Sequence, residues 1–152
     1  MIGNDVVDLG LAQKESNWKR KGFLEKIFTE YEHQLIQSSV TPELKVWELW
    51  SRKEAVYKIF NRNSGIRLFN PKRFECSADG KVTFENQVFF TKSEITKKAI
   101  HTIAVQQKSD FDKVIFLENR DRIVKLNGIP SKNNKPVSIS NHGRFEKIVS
   151  VL

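Results

Sequence analysis

The sequence predicts an α+β fold, on two observations. Apolar residues recur at helical spacing up to Phe60, and beyond the Asn61-Arg62-Asn63-Ser64-Gly65 break the pattern shortens to that of strands. A length of 152 residues fits one domain, 1–152, with enough chain to bury a core.

The elements follow in order. Ile2 to Val7 reads as a strand, with Gly3 allowing close backbone approach. Leu9 to Phe28 reads as mostly helical, with Trp18, Phe23 and Ile27 on its apolar side. Thr29-Glu30-Tyr31-Glu32 is a capping box that starts a helix carrying Leu35 and Ile36, ending near Ser38-Ser39. Thr41-Pro42-Glu43 starts the next helix, which runs to about Phe60. Val46, Leu49, Lys53, Val56, Tyr57 and Phe60 share one stripe of it; Trp47, Trp50, Ser51, Glu54 and Lys58 share the adjacent one.

Short strands are expected over Ile66–Phe69, Arg73–Ser77, Lys81–Phe84, Gln87–Thr91, His101–Gln107 and Lys113–Phe116, with Asp79-Gly80 as a hairpin turn. Glu118–Leu126 reads as a short helix closed by Asn127-Gly128, and Ser131–Lys135 as a polar loop. Pro136–Ser140 and Phe145–Leu152 form the last strands, joined by Asn141-His142-Gly143-Arg144. No internal repeat or low-complexity segment interrupts this order.

Composition narrows the function classes. The apolar fraction of 39% and eleven Phe argue for a folded globule. No apolar run approaches the ~20 residues a membrane helix needs, so no membrane role is expected. The acidic start, Met1-Ile2-Gly3-Asn4-Asp5, is unlike an export signal, and the single Cys76 cannot form an internal disulfide. Both fit the cytoplasm. A net charge of +8, from 26 Lys plus Arg against 18 Asp plus Glu, suits polyanionic partners. The basic residues are dispersed rather than gathered in a tail, which weighs against a nucleic-acid arm.

Three segments can carry chemistry. In Gly3-Asn4-Asp5 a carboxylate follows a glycine on a strand, a way to present a metal ligand; the ordinary role of such an Asp is a turn or a helix cap. In Trp50-Ser51-Arg52-Lys53-Glu54-Ala55-Val56-Tyr57-Lys58, Glu54 and Lys58 lie one turn apart on one helix face. There a carboxylate can hold a cation while the ammonium neutralises phosphate oxygen. The ordinary fate of this spacing is a solvated ion pair worth ~0.3–0.5 kcal/mol. The third segment, Ser138-Ile139-Ser140-Asn141-His142-Gly143-Arg144, gathers hydroxyls, an amide, an imidazole and a guanidinium. Such a set can bind phosphate, or simply form a polar hairpin.

In this order the three segments resemble the 4′-phosphopantetheinyl transferase superfamily. Its members share a Gly-x-Asp, a Trp/Phe-x-x-Lys-Glu-Ala-x-x-Lys helix and a Ser-Ile-Ser/Thr-His strand end. Phe28-Thr29-Glu30-Tyr31-Glu32 adds a likeness to the short, holo-acyl-carrier-protein-synthase type. The resemblance implies that family's fold, with helices packed on a mainly antiparallel sheet. It also implies Mg²⁺-dependent transfer of 4′-phosphopantetheine from coenzyme A to a serine of an acyl or peptidyl carrier protein, as in fatty acid biosynthesis, releasing 3′,5′-ADP.

Carried over residue by residue, Asp5 and Glu54 would bind Mg²⁺. Either Glu54 or a water of the metal shell would deprotonate the serine, and Lys58 would stabilise or protonate the leaving oxygen. Lys53 would contact phosphate. Ser138, Ser140, Asn141, His142 and Arg144 would meet coenzyme A. Trp50 would belong to the core or wall the site.

Two positions depart from the family pattern. Its histidine, which contacts the 3′-phosphate of coenzyme A, falls on Asn141, which cannot carry charge, so either His142 or Arg144 stands in or coenzyme A binds more weakly. A second acid of the long type falls on Val7, and Asp8, one residue on, suits a helix cap better than a metal. Lys14, Lys19, Arg20 and Lys21 follow the first motif, where the family docks its acidic carrier. A short chain of this type would need a second copy to complete its pocket. A homo-oligomer, with a trimer favoured, would then place Ser138–Arg144 beside a neighbour's Asp5 and Glu54. Two rival readings are a non-catalytic coenzyme A or carrier-binding homologue, motivated by Asn141, and a small basic nucleic-acid-binding module, motivated by charge.

Overall fold

One leading strand, a helical half and a strand-rich half succeed one another in the computed structural model, which describes residues 1–152. Strand β1 (Ile2–Asp8) runs into α1 (Leu9–Glu15), where the Asp8 carboxylate accepts the Leu11 N–H and caps the helix. The chain breaks before α2 (Phe23–Ile27). Helix α3 (Glu30–Gln37) begins with the reciprocal capping box between Thr29 and Glu32. Helix α4 (Pro42–Ser64) has Pro42 in its first turn and ends at Gly65 in a left-handed conformation.

Two all-antiparallel sheets follow. The first, in spatial order β1-β5-β4-β3-β2, uses β2 (Phe74–Cys76), β3 (Lys81–Phe84), β4 (Gln87–Ile95) and β5 (Ala99–Val105). The second, in order β6-β10-β9-β8-β7, uses β6 (Val114–Leu117), β7 (Val124–Leu126), β8 (Ile129–Lys132), β9 (Lys135–His142) and β10 (Phe145–Val151). Helix α4 lies across the first sheet. Val46, Leu49, Ala55, Val56 and Ile59 bury against Val7, Phe74, Val82, Phe89 and Ile100 in the main core. A smaller cluster of Ile2, Val105 and Val149 joins the two sheets. No helix is long and apolar enough to cross a membrane.

Several element expectations are corrected. Leu9–Phe28 is two short helices, because the backbone turns extended at Ser16, ending α1, and left-handed at Gly22 just before α2. Ile66–Phe69 is irregular rather than a strand. Glu118–Leu126 is not a helix: its end is strand β7, and Asn127-Gly128 is the tight turn joining β7 to β8. Both turn residues have positive φ, at 52° and 80°, as a two-residue hairpin requires. Asn133-Asn134, within the expected polar loop, makes the same kind of turn between β8 and β9. The expected mainly antiparallel strand architecture is present, as two five-stranded sheets.

Candidate active site

Close packing of β1 on α4 builds the site. A Cβ on Gly3 would overlap the backbone carbonyl of Ala55, so glycine lets the strand and helix approach. Ala55 is itself fully buried and small. These two neighbours bring Asp5 on β1 and Glu54 on α4 to one cleft of about 300 Å³. Val7, Ala12, Phe23, Ile27, Trp47 and Trp50 give the cleft apolar walls, and Asn141 and His142 border it from the β9–β10 hairpin. The Trp47 indole N–H is buried without a partner in the chain.

The two carboxylates are poised unusually. Burial pushes the Asp5 carboxyl up to about 7; the Glu54 carboxylate adds to this, while Lys58 and a hydrogen bond from Ser140 oppose it. Burial also raises Glu54, against the pull of Lys58. Asp5 accepts a bond from Ser140 Oγ at 3.3 Å. Glu54 and Lys58 do not close into the ordinary helix-surface ion pair. Instead Lys58 Nζ donates to the Asn4 carbonyl at 2.6 Å and the Ile139 carbonyl at 3.3 Å, tying β1 to β9. Its third N–H remains for a ligand, and burial holds its pKa below the usual lysine value despite the attraction of Asp5.

The other candidate residues divide. Lys53 is fully buried: Nζ donates to Glu32 Oε1 at 2.7 Å, to the Phe74 carbonyl at 2.6 Å and to the Pro71 carbonyl at 3.0 Å. With all three donors used inside the core, it does not meet phosphate, and that expectation is corrected. Ser138 is also fully buried, its Oγ accepting the Asn4 N–H and donating to Asn4 Oδ1, so it too is withdrawn from any ligand. Ser140 faces Asp5. Arg144 forks onto Asp8, with Nε and NH2 donating at 3.0 and 3.1 Å. That pair holds the Asp8 carboxyl well below its ordinary range and leaves Asp8 a cap rather than a metal ligand. His142 accepts the Asp8 N–H on Nδ1 at 2.9 Å, so Nε2 carries its hydrogen, facing Glu15 Oε1 at 3.3 Å.

One arrangement escaped the sequence reading. Ser138–Arg144 packs on β1 of its own chain, beside its own Asp5. The signal was present as the alternation Ser138, Ser140, His142, which puts three acceptors on one strand face. A second buried network, in which the Asn4 amide donates to His101 Nε2 at 3.0 Å, went unread because neither residue is unusual in isolation. Burial lowers the His101 pKa to about 4, with Lys147 and Lys58 adding to the shift, so the ring is neutral.

A profile of the 4′-phosphopantetheinyl transferase superfamily matches residues 1–110. The chain belongs to this superfamily. Its fold is similar to that of an apo-ACPS structure from Chronobacterium ammoiniagenes, at a TM-score of 0.54 and 17% identity, covering 68% of this chain and 93% of that one. It is equally similar to holo-[acyl-carrier-protein] synthase from Neisseria meningitidis, at 0.54 and 16% identity, covering 70% and 97%. Among curated proteins, none matches. The profile includes Gly3-Asn4-Asp5 and the Trp50–Lys58 helix but stops before Ser138. The Ser-Ile-Ser likeness of Ser138–Asn141 therefore lies outside the matched residues, as does the second sheet from β6 onward apart from its contacts with β1.

Proposed function

We propose that this superfamily member moves 4′-phosphopantetheine from coenzyme A to a serine of an acyl or peptidyl carrier protein, with Mg²⁺, releasing 3′,5′-ADP. The observation that carries the reading is the cleft in which two buried carboxylates, Asp5 and Glu54, meet beside the spare N–H of Lys58.

The donor set fits a hard divalent cation. Burial raises the cost of ionising both carboxyls, Glu54 adds to it at Asp5, and Glu54 has no hydrogen bond or ion pair within the chain, so a cation relieves both. Mg²⁺ takes one or two carboxylates and fills its shell with phosphate oxygens and water. When bound it would neutralise pyrophosphate charge as the nucleophile approaches. Glu54, made more basic by burial, accepts the proton of the attacking serine. The serine oxygen forms its bond to the β-phosphorus as the bond to the bridging oxygen breaks. Lys58 stabilises the departing 3′,5′-ADP through its free N–H. The apolar walls take the thin pantetheine arm, and the unpartnered Trp47 N–H offers a donor for one of its amides. Asn141 at the rim would meet the nucleotide phosphates, and His142 would do so in exchange for its contact with Glu15.

Carrier docking follows from charge. Arg20, Lys21 and Lys26 line a depression that shares Phe23, Ile27 and Trp50 with the cleft, and Lys14 and Lys19 lie on the same stretch of chain. An acidic carrier helix seated there would deliver its serine to Asp5 and Glu54. The single cysteine, buried with its thiol pushed up by burial, suits work in the cytoplasm.

Isothermal titration with coenzyme A tests the site before any carrier is found. Wild type is expected to bind coenzyme A more tightly with Mg²⁺ than without, and Glu54→Gln to lose the Mg²⁺ dependence. Binding indifferent to Mg²⁺ in both would count against the metal-pyrophosphate reading.

A further inference from the structure

Two buried side-chain nitrogens find no partner within the chain, Trp47 Nε1 and Arg52 Nε. The Arg52 guanidinium still meets the Ser77 carbonyl at 3.3 Å and Glu48 Oε2 at 3.3 Å through its other nitrogens. An indole has one donor and no acceptor, so the whole hydrogen-bonding capacity of the Trp47 side chain is unmet. Trp47 is 6% exposed, and an unpaired donor at that depth is costly unless a ligand brings the acceptor.

Trp47 is also a dividing wall. On one side lies the cleft of Asp5 and Glu54, of about 300 Å³. On the other lies a second cavity of about 250 Å³. It is bounded by Leu9 and Gln13 of α1, by Thr41 and Leu44 where α4 begins, and by Thr96 in the turn from β4 to β5. An edge-to-face contact with Phe23, ring centroids 6.2 Å apart, holds the indole in that wall. Trp47 precedes Glu54 by about two turns of α4, on the same face and about 10 Å along the axis. Side chains on a helix lean towards its N-terminus, so the indole leads away from Glu54 towards the second cavity.

The arm that leaves the pyrophosphate of coenzyme A is a chain of amides and methylenes ending in a thiol. We infer that Trp47 is a specificity-determining residue for the donor: its N–H reads an amide carbonyl of that arm, and the cavity behind it receives the thiol end. The inference deepens the proposed transferase reading and rests on it for the identity of the ligand. Leu9 and Leu44 give the methylenes and the sulfur an apolar lining. Nucleotides without the arm leave the indole donor unpaired and gain nothing from it.

The indole resonances in a nitrogen–proton correlation spectrum report the bond without turnover. The chain has three Trp, and the signal lost in Trp47→Phe belongs to Trp47. With Mg²⁺ present, coenzyme A should move that proton signal downfield, as a new hydrogen bond does. 3′,5′-ADP, which lacks the arm, should leave it in place. Trp47→Phe, whose fold the remaining indole signals check, should bind coenzyme A about 10-fold more weakly and 3′,5′-ADP as wild type does. Gln13→Phe, on the exposed rim of the second cavity, should also weaken coenzyme A about 10-fold by overfilling it, and spare 3′,5′-ADP. A Trp47 signal unmoved by bound coenzyme A, or either variant binding coenzyme A as wild type does, overturns the inference and leaves the transferase reading in place. Equal losses for coenzyme A and 3′,5′-ADP in Trp47→Phe mean that the indole only supports the fold, and overturn it as well. A wild type that binds neither ligand removes the transferase reading and this inference with it.

Discussion

Lys53 and Lys58 sit five residues apart on α4, and burial alone separates their roles. Lys53 has no exposed atom and three short bonds, one to the equally buried Glu32, which also accepts the Cys76 N–H. Removing one partner of such a pair leaves a buried charge, at a cost of ~3–5 kcal/mol. Lys53→Met should therefore lower the melting temperature sharply, while the transfer rate per folded molecule, read at low temperature, stays within about twofold. Asp5 gives a pH signature. Its folded pKa lies above the unfolded value, so the folded state binds the extra proton and loses stability as pH rises towards about 7. His101, held at about 4, adds stability as pH rises and opposes Asp5 below the ordinary histidine value. The readout is therefore the difference in melting temperature without metal between wild type and Asp5→Asn. That difference should fall as pH rises towards about 7, and a pH-independent difference would refute the assignment. Asp5 and Glu54 could be singled out from the sequence because their motifs are local, and they line one cleft. Lys53 was misread because its partner Glu32 sits on another helix, and spacing along one helix says nothing of what covers it.

At the scale of elements, the β1–α4 contact decides whether the carboxylates meet. Gly3→Ala forces β1 off the Ala55 carbonyl, and overpacking of this kind costs ~1–3 kcal/mol. Its Mg²⁺ dependence should weaken even in the fraction that stays folded, which a metal titration of coenzyme A binding would register. Helix α4 was readable from Thr41-Pro42 and its apolar stripe, and α3 from its capping box. The Asn127-Gly128 turn was misread because the same dipeptide closes helices and joins strands. Only the cross-strand pairing of Leu126 with Ile129 settles which. The β9–β1 junction was unreadable for a related reason. Its bonds link residues 134 positions apart, and no local pattern reports a contact at that separation.

Across the whole molecule, the net charge of +8 and the basic depression beside the cleft point the same way. An acidic carrier should associate more slowly as salt screens that field over ~10 Å at 0.1 M ionic strength. KM for the carrier should rise with added salt while kcat holds, measured by steady-state transfer; a salt-independent KM would remove the steering argument. The α+β class and the superfamily were legible in the sequence; the second sheet's place against β1 was not. Everything converges on the cleft between β1 and α4. Its most direct test is the intact mass of an apo carrier protein after incubation with the chain, coenzyme A and Mg²⁺. Wild type should add one phosphopantetheine per carrier, and Glu54→Gln should be slower by about 10²–10⁴-fold, the range lost with a general base. An unmodified carrier across acyl and peptidyl types, or a Glu54→Gln variant as fast as wild type, would contradict the account.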